Sequence, residues 1–400
     1  MRREPNERRI ADLHCHYPMR VHCDRSPAAV AKRRECSGAW FWLDGVRCFA
    51  MRRLAQLFNH KSFWATWRVT FDGLKAGRAG LVLSALYDPA YEILVMPGKQ
   101  QPRPAAFGAL LCQLGCVEAE LVRTDPGHDG HRVVKSKAEL KETLNEGRMA
   151  FVHCVEGGLY LGDNVCDIKT NVARLAEKGV AYITVAHLFY RGIASNASAL
   201  PGLSDECYDF IFRQRLRGLS PLGRAVVEAM YEHKMLIDIT HMDAPAVQAT
   251  FKRLEELDEE TGADPKEHPV IASHAGYRFG DLDYMLDKTT IEEIARRGGV
   301  IGLILAEHQL ENGFTGDEIE SSTFYALDRH IKKICQITHS HEHICIGSDH
   351  DGFIKPTVSG IHGSAELGEI EEWLRDDYPP AVADAILFGN AERVVASALP

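Results

Sequence analysis

Eight short apolar runs, rich in β-branched residues, recur along this 400-residue chain, and longer segments with helical patterns separate them. Such runs are typical of parallel strands that helices cover on both faces. Strands and helices in alternation predict a single (β/α)₈ barrel, with a doubly wound open sheet as the alternative. The open sheet is disfavoured because no glycine-rich dinucleotide-binding fingerprint is present. The predicted strands are Ile10–His14, Gly80–Tyr87, Ala150–Cys154, Val180–His187, Met235–His241, Pro269–His274, Gly299–Leu305 and Ile344–Asp349.

Two of the intervening segments show where their helices begin or end. Leu222–His233 has apolar residues at helical spacing, and Ser220 and Pro221 before it suit an N-cap and a first helical turn. Ile291–Arg297 leads into a glycine pair at 298–299, which is a common end for a helix before a strand.

The longest stretch without a predicted strand follows strand one and runs over about residues 18–79. It holds four of the five tryptophans, namely Trp40, Trp42, Trp64 and Trp67. We expect residues 1–400 to form one domain, with this insertion over the C-terminal face of the barrel. The insertion either adds packing or serves as a lid or as a subunit contact in a homodimer.

Composition limits the partners and the compartment that we expect. A formal net charge of −10 argues against a general nucleic-acid-binding protein. No apolar run reaches about 18 residues and no secretory signal is visible, so we expect no membrane partner. The eleven cysteines are scattered and odd in number, which favours reduced thiols in a cytoplasmic protein. Cys112 and Cys116 fit an amphipathic helix better than a metal site.

Residues that can bind a metal or move a proton stand at or just after six of the eight predicted strands. In a barrel, the C-terminal ends of all strands meet on one face, where catalytic residues lie. We therefore expect residues that are far apart in the sequence to converge. They are His14, His16, Glu156, His187, His241, His274 and Asp349.

These residue types suit a centre with one or two divalent metal ions, with zinc as the leading choice. His14 and His16 point to the same side of an extended chain and can reach one ion. Glu156 can bridge two ions, and His241 and His274 can bind the second ion. A pair of such ions holds and activates a shared water molecule.

Two residues are the candidates for catalysis beside the metal ligands. Asp349 is placed to take the proton of the activated water, and His187 to polarise a substrate carbonyl or hold the oxyanion. Asp238 lies inside its strand and is predicted to have a supporting or structural role. The sequence leaves open the roles of Glu307, His308, His350 and Asp351. A tract of three histidines precedes strand eight and is expected at the opposite mouth of the barrel, namely His339, His341 and His343.

Several short segments, in their order and spacing, resemble the membrane dipeptidase family, also called renal dipeptidases. They are DLHCHYP, LKAGRAGLVLSALY, VEGG, GLSPLGRAVV, LIDITH, VIASHAGYR, IGSDHDGF and FGNAERV. The resemblance implies a binuclear zinc barrel that cleaves dipeptides or similar small amides. It implies that His14 and Glu156 hold one ion, that Glu156, His241 and His274 hold the other, that His187 contacts substrate, and that Asp349 handles the proton.

The chain departs from the family pattern at two places. The first motif of the family normally has histidine followed by aspartate, and here the second position is His16. A neutral ligand in place of an anionic one makes the site more positive by one unit. The family also has an arginine about a dozen residues after its last histidine ligand, where this chain reads DLDYMLDK. Arg278 is a nearby substitute, but a free C-terminal carboxylate is not an expected feature of the substrate.

Two other classes of function compete with an amide hydrolase. Related barrels with similar ligands support lactonases, phosphoesterases and metal-dependent decarboxylases. A mainly anionic substrate would need several convergent arginines or lysines, and the strand ends show few. A non-catalytic barrel that binds a ligand or partner is disfavoured by the complete ligand set and its candidate base.

Overall fold

The structure is a computed structural model, and it describes residues 9–23, 27–37, 49, 53, 67–92, 103–124, 127, 130–314, 324–352 and 360–400. Nine parallel strands form one sheet in the order β2-β1-β9-β8-β7-β6-β5-β4-β3, and β2 also pairs with β4. The strands are β1 Ile10–Cys15, β2 Ala79–Leu86, β3 His131–Val133, β4 Met149–Glu156, β5 Tyr182–Thr184, β6 Leu236–Asp238, β7 Val270–Ala275, β8 Ile301–Leu303 and β9 Ile344–Ile346.

The pairing of β2 with β4 closes eight of these strands into the predicted (β/α)₈ barrel. This pairing runs from Leu81 opposite Ala150 to Leu86 opposite Val155. The ninth strand, β3, lies beside the first residues of β4 and was not predicted. Its three residues, HRV, lack the apolar run that marks the other strands, and only His131 is buried.

Several strands end earlier than the sequence predicted, and this changes how site residues are presented. Strands β5, β6 and β9 each contain only three residues, so His187, His241 and Asp349 lie beyond the strand ends. His241 and Asp349 have left-handed backbone conformations, with φ values of 69° and 53°. The chain has therefore left the extended conformation at these two residues.

Helices connect the strands, and the two predicted boundaries are confirmed. The hydroxyl of Ser220 accepts hydrogen bonds from the N–H groups of Leu222 and Gly223, and Gly298 has a φ of 69° after the other helix. The helices are α1 Tyr17–Cys23, α2 Pro27–Ser37, α3 Phe71–Ala76, α4 Pro89–Glu92, α5 Arg103–Thr124, α6 Lys137–Asn145, α7 Val165–Glu177, α8 Asp205–Ile211, α9 Pro221–Glu232, α10 Ala244–Thr261, α11 Lys288–Arg296, α12 Glu307–Leu310, α13 Tyr325–Thr338, α14 Leu367–Asp377, α15 Pro380–Asp384 and α16 Asn390–Ala398.

The C-terminal helix α16 lies at the mouth of the barrel where the strands begin. Asn390 donates hydrogen bonds to the backbone oxygens of His341 and Ile344, at the start of β9. Val394 and Val395 of the same helix pack into one apolar cluster with strand residues such as Leu13. This packing leaves the C-terminal ends of the strands as the face on which a site can form.

The insertion after β1 is described only in part. It contains α1, α2 and α3, and Trp67 is partly buried against the main apolar core. Trp40, Trp42 and Trp64 lie outside the described residues, so the lid and subunit-contact interpretations of this segment stay predictions. Within the described residues, no helix combines the length and the apolar character that crossing a membrane requires.

Candidate metal centre

The carboxylate of Glu156, the last residue of β4, lies at the centre of a ring of histidines. Its Oε1 atom is 3.3 Å from Nε2 of His14, 3.5 Å from Nε2 of His241 and 3.4 Å from Nε2 of His274. Its Oε2 atom is 3.3 Å from Nε2 of His16 and 3.2 Å from Nε2 of His187. All these side chains are buried. The structure thus brings the histidine candidates together around one carboxylate.

Two overlapping groups of ligand atoms share Glu156. The first contains His14, His16, Glu156 and Asp349, and the second contains Glu156, His241 and His274. Within each group, all the ligand atoms lie within 4.8 Å of one another. Asp349 enters the first group because its Oδ1 atom is 3.2 Å from Nε2 of His16. The five predicted metal ligands are therefore clustered, with Asp349 as a further member.

Hydrogen bonds on the far side of two histidine rings determine which nitrogen faces the centre. The hydroxyl of Tyr182 donates to the backbone oxygen of Leu13, so its oxygen accepts from Nδ1 of His14 at 2.8 Å. The hydroxyl of Ser273 donates to Asp238, so its oxygen accepts from Nδ1 of His274 at 2.8 Å. Each Nδ1 then carries the proton, and each Nε2 presents a lone pair to the centre. Metal-binding histidines are commonly oriented in this way.

The unsatisfied atoms of the cluster fit divalent cations. The Nε2 atoms of His241 and His274 face each other at 3.1 Å, and those of His14 and His16 at 3.4 Å. Oε2 of Glu156 and Oδ1 of Asp349 are buried and accept no hydrogen bond from the described residues. Buried electron pairs that face one another are costly without a shared cation. Imidazole and carboxylate donors in these numbers suit zinc and similar divalent metals.

Electrostatics keep the central carboxylate negatively charged. Burial raises the pKa of Glu156, but His187, His16 and His14 outweigh it, and the pKa falls well below its usual value. Burial lowers the pKa of His274 far below its usual value, and nearby His14 lowers it further. A charged Glu156 beside a neutral His274 is the protonation pattern that metal binding requires.

The left-handed backbone at His241 and Asp349 presents both side chains to the centre. Conformations with positive φ cost a non-glycine residue about 1–3 kcal/mol and persist where the surrounding structure holds them. The N–H of Asp349 donates to the backbone oxygen of His14, and the backbone oxygen of His241 accepts from the N–H of Ala197. These contacts hold the strained residues beside the other ligands.

His187 lies at the edge of the cluster and is held by a glutamate that the sequence did not reveal. Its Nε2 atom faces Glu156, and its Nδ1 atom lies 2.5 Å from Oε2 of Glu92. Glu92 ends the four-residue helix α4 after β2 and is completely buried. The sequence signal for it is weak, because an acidic residue at the end of a short polar segment is usually exposed.

Some candidates from the sequence lie close to the centre but have other contacts. Asp238 accepts hydrogen bonds from the hydroxyls of Thr184, Thr240 and Ser273, which confirms a supporting role. The carboxylate of Asp351 accepts from the N–H groups of Arg68 and Val69 and belongs to neither ligand group.

Other candidates are farther from the reaction centre or are already occupied. The guanidinium of Arg278 donates to the backbone oxygens of Met285 and Asp283 and pairs with the Asp283 carboxylate at 2.8 Å. It is therefore committed to its own loop. The three histidines of the HSHEH tract precede β9, at the mouth opposite the cluster, as predicted. Glu307 and His308 form the first residues of α12 after β8, and His350 is buried outside both ligand groups.

Comparison with solved structures shows the same fold in metallopeptidases. The metallopeptidase named dipeptidase AC, of family M19, is 16% identical with a TM-score of 0.67, and the match covers 98% of each chain. A metallopeptidase from Rhodobacter sphaeroides, liganded with a phosphinate mimic of the dipeptide L-Ala-D-Ala, is 15% identical with a TM-score of 0.67. That match covers 98% of this chain and 99% of the other. The probable dipeptidase PvdM from Pseudomonas aeruginosa is 16% identical with a TM-score of 0.62, over 86% of this chain and 90% of PvdM.

The sequence model of the membrane dipeptidase family, peptidase family M19, matches residues 43–399. His14 and His16 precede the matched segment, whereas Glu156, His187, His241, His274 and Asp349 lie within it. Because this match extends over most of the chain, the protein belongs to the membrane dipeptidase family and is a metal-dependent hydrolase of the dipeptidase type.

Proposed function

We propose that this protein cleaves the amide bond of a dipeptide or a related small amide at a centre that holds two zinc ions. The position of Glu156 carries the proposal. Its two carboxylate oxygens lie within 3.5 Å of five imidazole nitrogens, four from the histidines of the two ligand groups and one from His187. One ion would be held by His14, His16 and Glu156, and the other by Glu156, His241 and His274.

The metal ions, when bound, supply a nucleophile at neutral pH and polarise the scissile carbonyl. The chain orients two of the histidine ligands for metal binding. Tyr182 and Ser273 fix the tautomers of His14 and His274, so that lone pairs face the centre. The burial of the cluster excludes bulk water, which strengthens each electrostatic contact.

Asp349 is proposed to accept the proton of the attacking water. Its Oδ1 atom is buried, lacks a hydrogen-bond donor among the described residues and lies 3.2 Å from His16 Nε2. Membership of the first ligand group supports a second role for Asp349 as a metal ligand. A variant that separates metal content from turnover distinguishes the two roles.

His187 is proposed to hold the carbonyl oxygen of the substrate as negative charge develops on it. Burial lowers the pKa of His187, but Glu156 and Glu92 outweigh burial and raise the pKa to about 10. A protonated ring donates from Nε2 as well as from Nδ1. A donor fixed at the position of the developing charge stabilises the transition state more than the ground state.

A dipeptide-like substrate is supported by the structure of the Rhodobacter sphaeroides metallopeptidase, which is liganded with a phosphinate mimic of a dipeptide. The commitment of Arg278 to Asp283 gives no support to Arg278 as the group that binds a free substrate carboxylate. We therefore propose that small amides without a charged C-terminal carboxylate are accepted as well as free dipeptides.

Metal analysis combined with a substrate panel tests the proposed function. The panel contains free dipeptides, dipeptides with amidated C-termini, lactones and phosphoesters, each assayed with zinc-loaded protein. We expect one or two zinc ions per chain and turnover of amides, with similar kcat/KM for amidated and free dipeptides. Turnover of lactones or phosphoesters alone would reject the amide assignment. A strong preference for dipeptides with a free C-terminal carboxylate would reject the proposal that amidated dipeptides are accepted equally well.

A cytoplasmic location is also proposed. The nine cysteines whose side chains the structure describes are free thiols, which is consistent with a reducing compartment. Fractionation of the source cells, with detection of this protein in soluble and membrane fractions, tests the location.

A further inference from the structure

We propose that Glu92 is a positioning residue for catalysis: it holds Nδ1–H of His187, so that Nε2 of the ring is directed at the substrate carbonyl oxygen. This inference rests on the proposed amide hydrolysis, in which His187 contacts the substrate. The role belongs to a residue on α4, which contributes neither to the ligand groups nor to the predicted catalytic residues.

The carboxylate of Glu92 contacts both a side chain and a backbone N–H group of the turn that follows β5. Its Oε2 atom accepts from Nδ1 of His187 at 2.5 Å, and its Oε1 atom accepts from the N–H of Phe189 at 3.1 Å. Arg191 donates to the backbone oxygen of Glu92, so the same turn also holds α4 in place. One buried carboxylate thereby fixes both the ring of His187 and the backbone next to it.

Aromatic packing restricts the remaining freedom of the His187 ring. Tyr87 packs edge-on against one side at a centroid distance of 4.6 Å, and His241 packs edge-on at 4.6 Å. The backbone N–H and oxygen of Tyr87 are both bonded to the Gln113 amide at 2.8 Å, which fixes the position of Tyr87. Rotation of the His187 ring is thus opposed by two neighbouring rings, and Glu92 holds its Nδ1 atom.

The contacts of Glu92 require a carboxylate rather than an amide. Two N–H donors, from His187 and Phe189, approach its two separate oxygens. A glutamine would satisfy one donor and direct its own NH₂ group at the other. A carboxylate accepts both, and hydrogen bonds to a charged acceptor are about twice as strong as those between neutral groups.

A fixed Nδ1–H bond leaves Nε2 to face the centre, 3.2 Å from Oε2 of Glu156. Glu92 therefore acts on the reaction through the orientation of the His187 ring. Because the interaction strengthens only as charge develops, its loss should lower kcat more than it raises KM.

The main test compares Glu92→Gln and His187→Gln, alone and combined, in the zinc-loaded enzyme with a dipeptide substrate. We expect Glu92→Gln to lower kcat by about 10- to 100-fold with little change in KM and in zinc content. The affinity for a phosphinate dipeptide analogue should fall in parallel with kcat/KM. In the His187→Gln background, the Glu92→Gln change should have almost no further effect on kcat. An equal loss in both backgrounds, or an unchanged kcat, would overturn the proposal.

Two further variants separate positioning from general loss of structure. Glu92→Asp keeps both acceptor oxygens and should recover a large part of kcat relative to Glu92→Gln. Glu371→Gln changes another buried glutamate, which accepts from Arg78 and Arg375 away from the centre. It should lower Tm while kcat is retained. If the kcat of Glu92→Asp is no higher than that of Glu92→Gln, and the Tm of both variants is at least that of Glu371→Gln, the carboxylate has no positioning role.

A measurement without turnover keeps the failure of this inference distinct from failure of the proposed function. Nitrogen-15 NMR of histidine-labelled, zinc-loaded protein reports which ring nitrogens are protonated, and His187→Gln identifies the signals. We expect a protonated, strongly hydrogen-bonded Nδ1 for His187 that is altered in Glu92→Gln. An identical signal in both proteins contradicts the positioning role, whether or not a dipeptide is the substrate.

Discussion

The Nε2 atom of His16 lies 3.2 Å from Oδ1 of Asp349. His16 follows β1 and Asp349 follows β9, and these two strands are neighbours in the barrel. The resemblance to the family implies that His16 stands at a position where aspartate is usual. The first ligand group consequently contains two carboxylates, from Glu156 and Asp349, rather than three. A neutral ligand at this position relieves repulsion between Asp349 and its neighbours and makes the centre more positive by one unit.

Restoring the family residue tests the effect of this charge. In His16→Asp, an added negative charge should raise the pKa of the nucleophilic water, because anions nearby disfavour its deprotonation. We expect the acidic limb of the kcat/KM profile to move to higher pH by about 1 unit. His233→Asp makes the same charge change at an exposed residue and should leave the profile in place. An unshifted limb in His16→Asp would show that the charge at this position does not control the water.

Metal dependence is expected to appear in stability as well as in activity. Purified protein should carry one or two divalent ions per chain, measured by elemental analysis. Removal of the ions should lower Tm, because the facing Nε2 atoms of His241 and His274 then lose their shared partner. Readdition of zinc should restore both properties. Absence of metal after growth with zinc or manganese would contradict the binuclear centre.

Glu156 is the residue whose change should remove metal and activity together. Glu156→Gln keeps the shape of the side chain but removes the charge shared by both ligand groups. We expect loss of at least one ion per chain and loss of turnover in the same sample. Glu371→Gln, a buried glutamate outside the cluster, serves as the control and should keep its metal. Full metal content and turnover in Glu156→Gln would place the bridge elsewhere.

The barrel and most of the cluster were accessible to sequence reasoning because they depend on local patterns. Buried parallel strands are apolar along their whole length, and barrel topology brings their C-terminal ends together. His14, His241 and His274 could therefore be placed on one face from their positions after apolar runs. The strand ends were harder to predict, since His241 and Asp349 adopt positive φ without any glycine to signal it.

Glu92 and Tyr182 show what the sequence could not reveal. Their roles depend on side chains that meet across the barrel, 95 positions from His187 in one case and 168 positions from His14 in the other. No local pattern records such a contact. A tyrosine in a buried strand and a glutamate in a four-residue helix have ordinary structural explanations, so only three-dimensional packing distinguishes them.

Asp238 tests whether a residue that reaches a metal ligand through hydrogen bonds affects stability and metal binding. Its carboxylate accepts from the hydroxyls of Thr184, Thr240 and Ser273. In Asp238→Asn, an NH₂ group would face these donors, and we expect a loss of about 1.5–3 kcal/mol in the free energy of unfolding. Zinc affinity should also fall, because Ser273 fixes the tautomer of His274. Denaturant unfolding and zinc titration measure the two effects.

The control for this variant is another buried aspartate whose carboxylate accepts hydrogen bonds from side chains. Asp258 pairs with Arg297 and accepts from Tyr231, away from the cluster. Asp258→Asn should destabilise the protein without altering zinc affinity. Equal zinc affinity in Asp238→Asn and the native protein would show that the Ser273 contact does not influence His274.

The role of Asp349 is decided by a change that keeps its size and removes its charge. If Asp349 accepts the proton of water, Asp349→Asn should keep its metal and nearly the same KM. Both kcat and kcat/KM should fall by about 10²–10⁴-fold, because the interaction matters only as the proton moves. Metal content, Tm and steady-state kinetics should be measured on one sample, so that loss of metal is not mistaken for loss of a base.

A ligand role for Asp349 gives a different result in the same experiment. Because Oδ1 of Asp349 lies near Nε2 of His16, loss of this ligand would weaken the binding of the first metal ion, and added zinc would restore turnover. Asp351→Asn is the control two residues away, where the carboxylate accepts hydrogen bonds from the N–H groups of Arg68 and Val69. It should lower Tm and retain kcat. Normal metal with a collapsed kcat in Asp349→Asn therefore assigns the base, whereas near-native kcat at saturating zinc assigns a ligand and excludes the base.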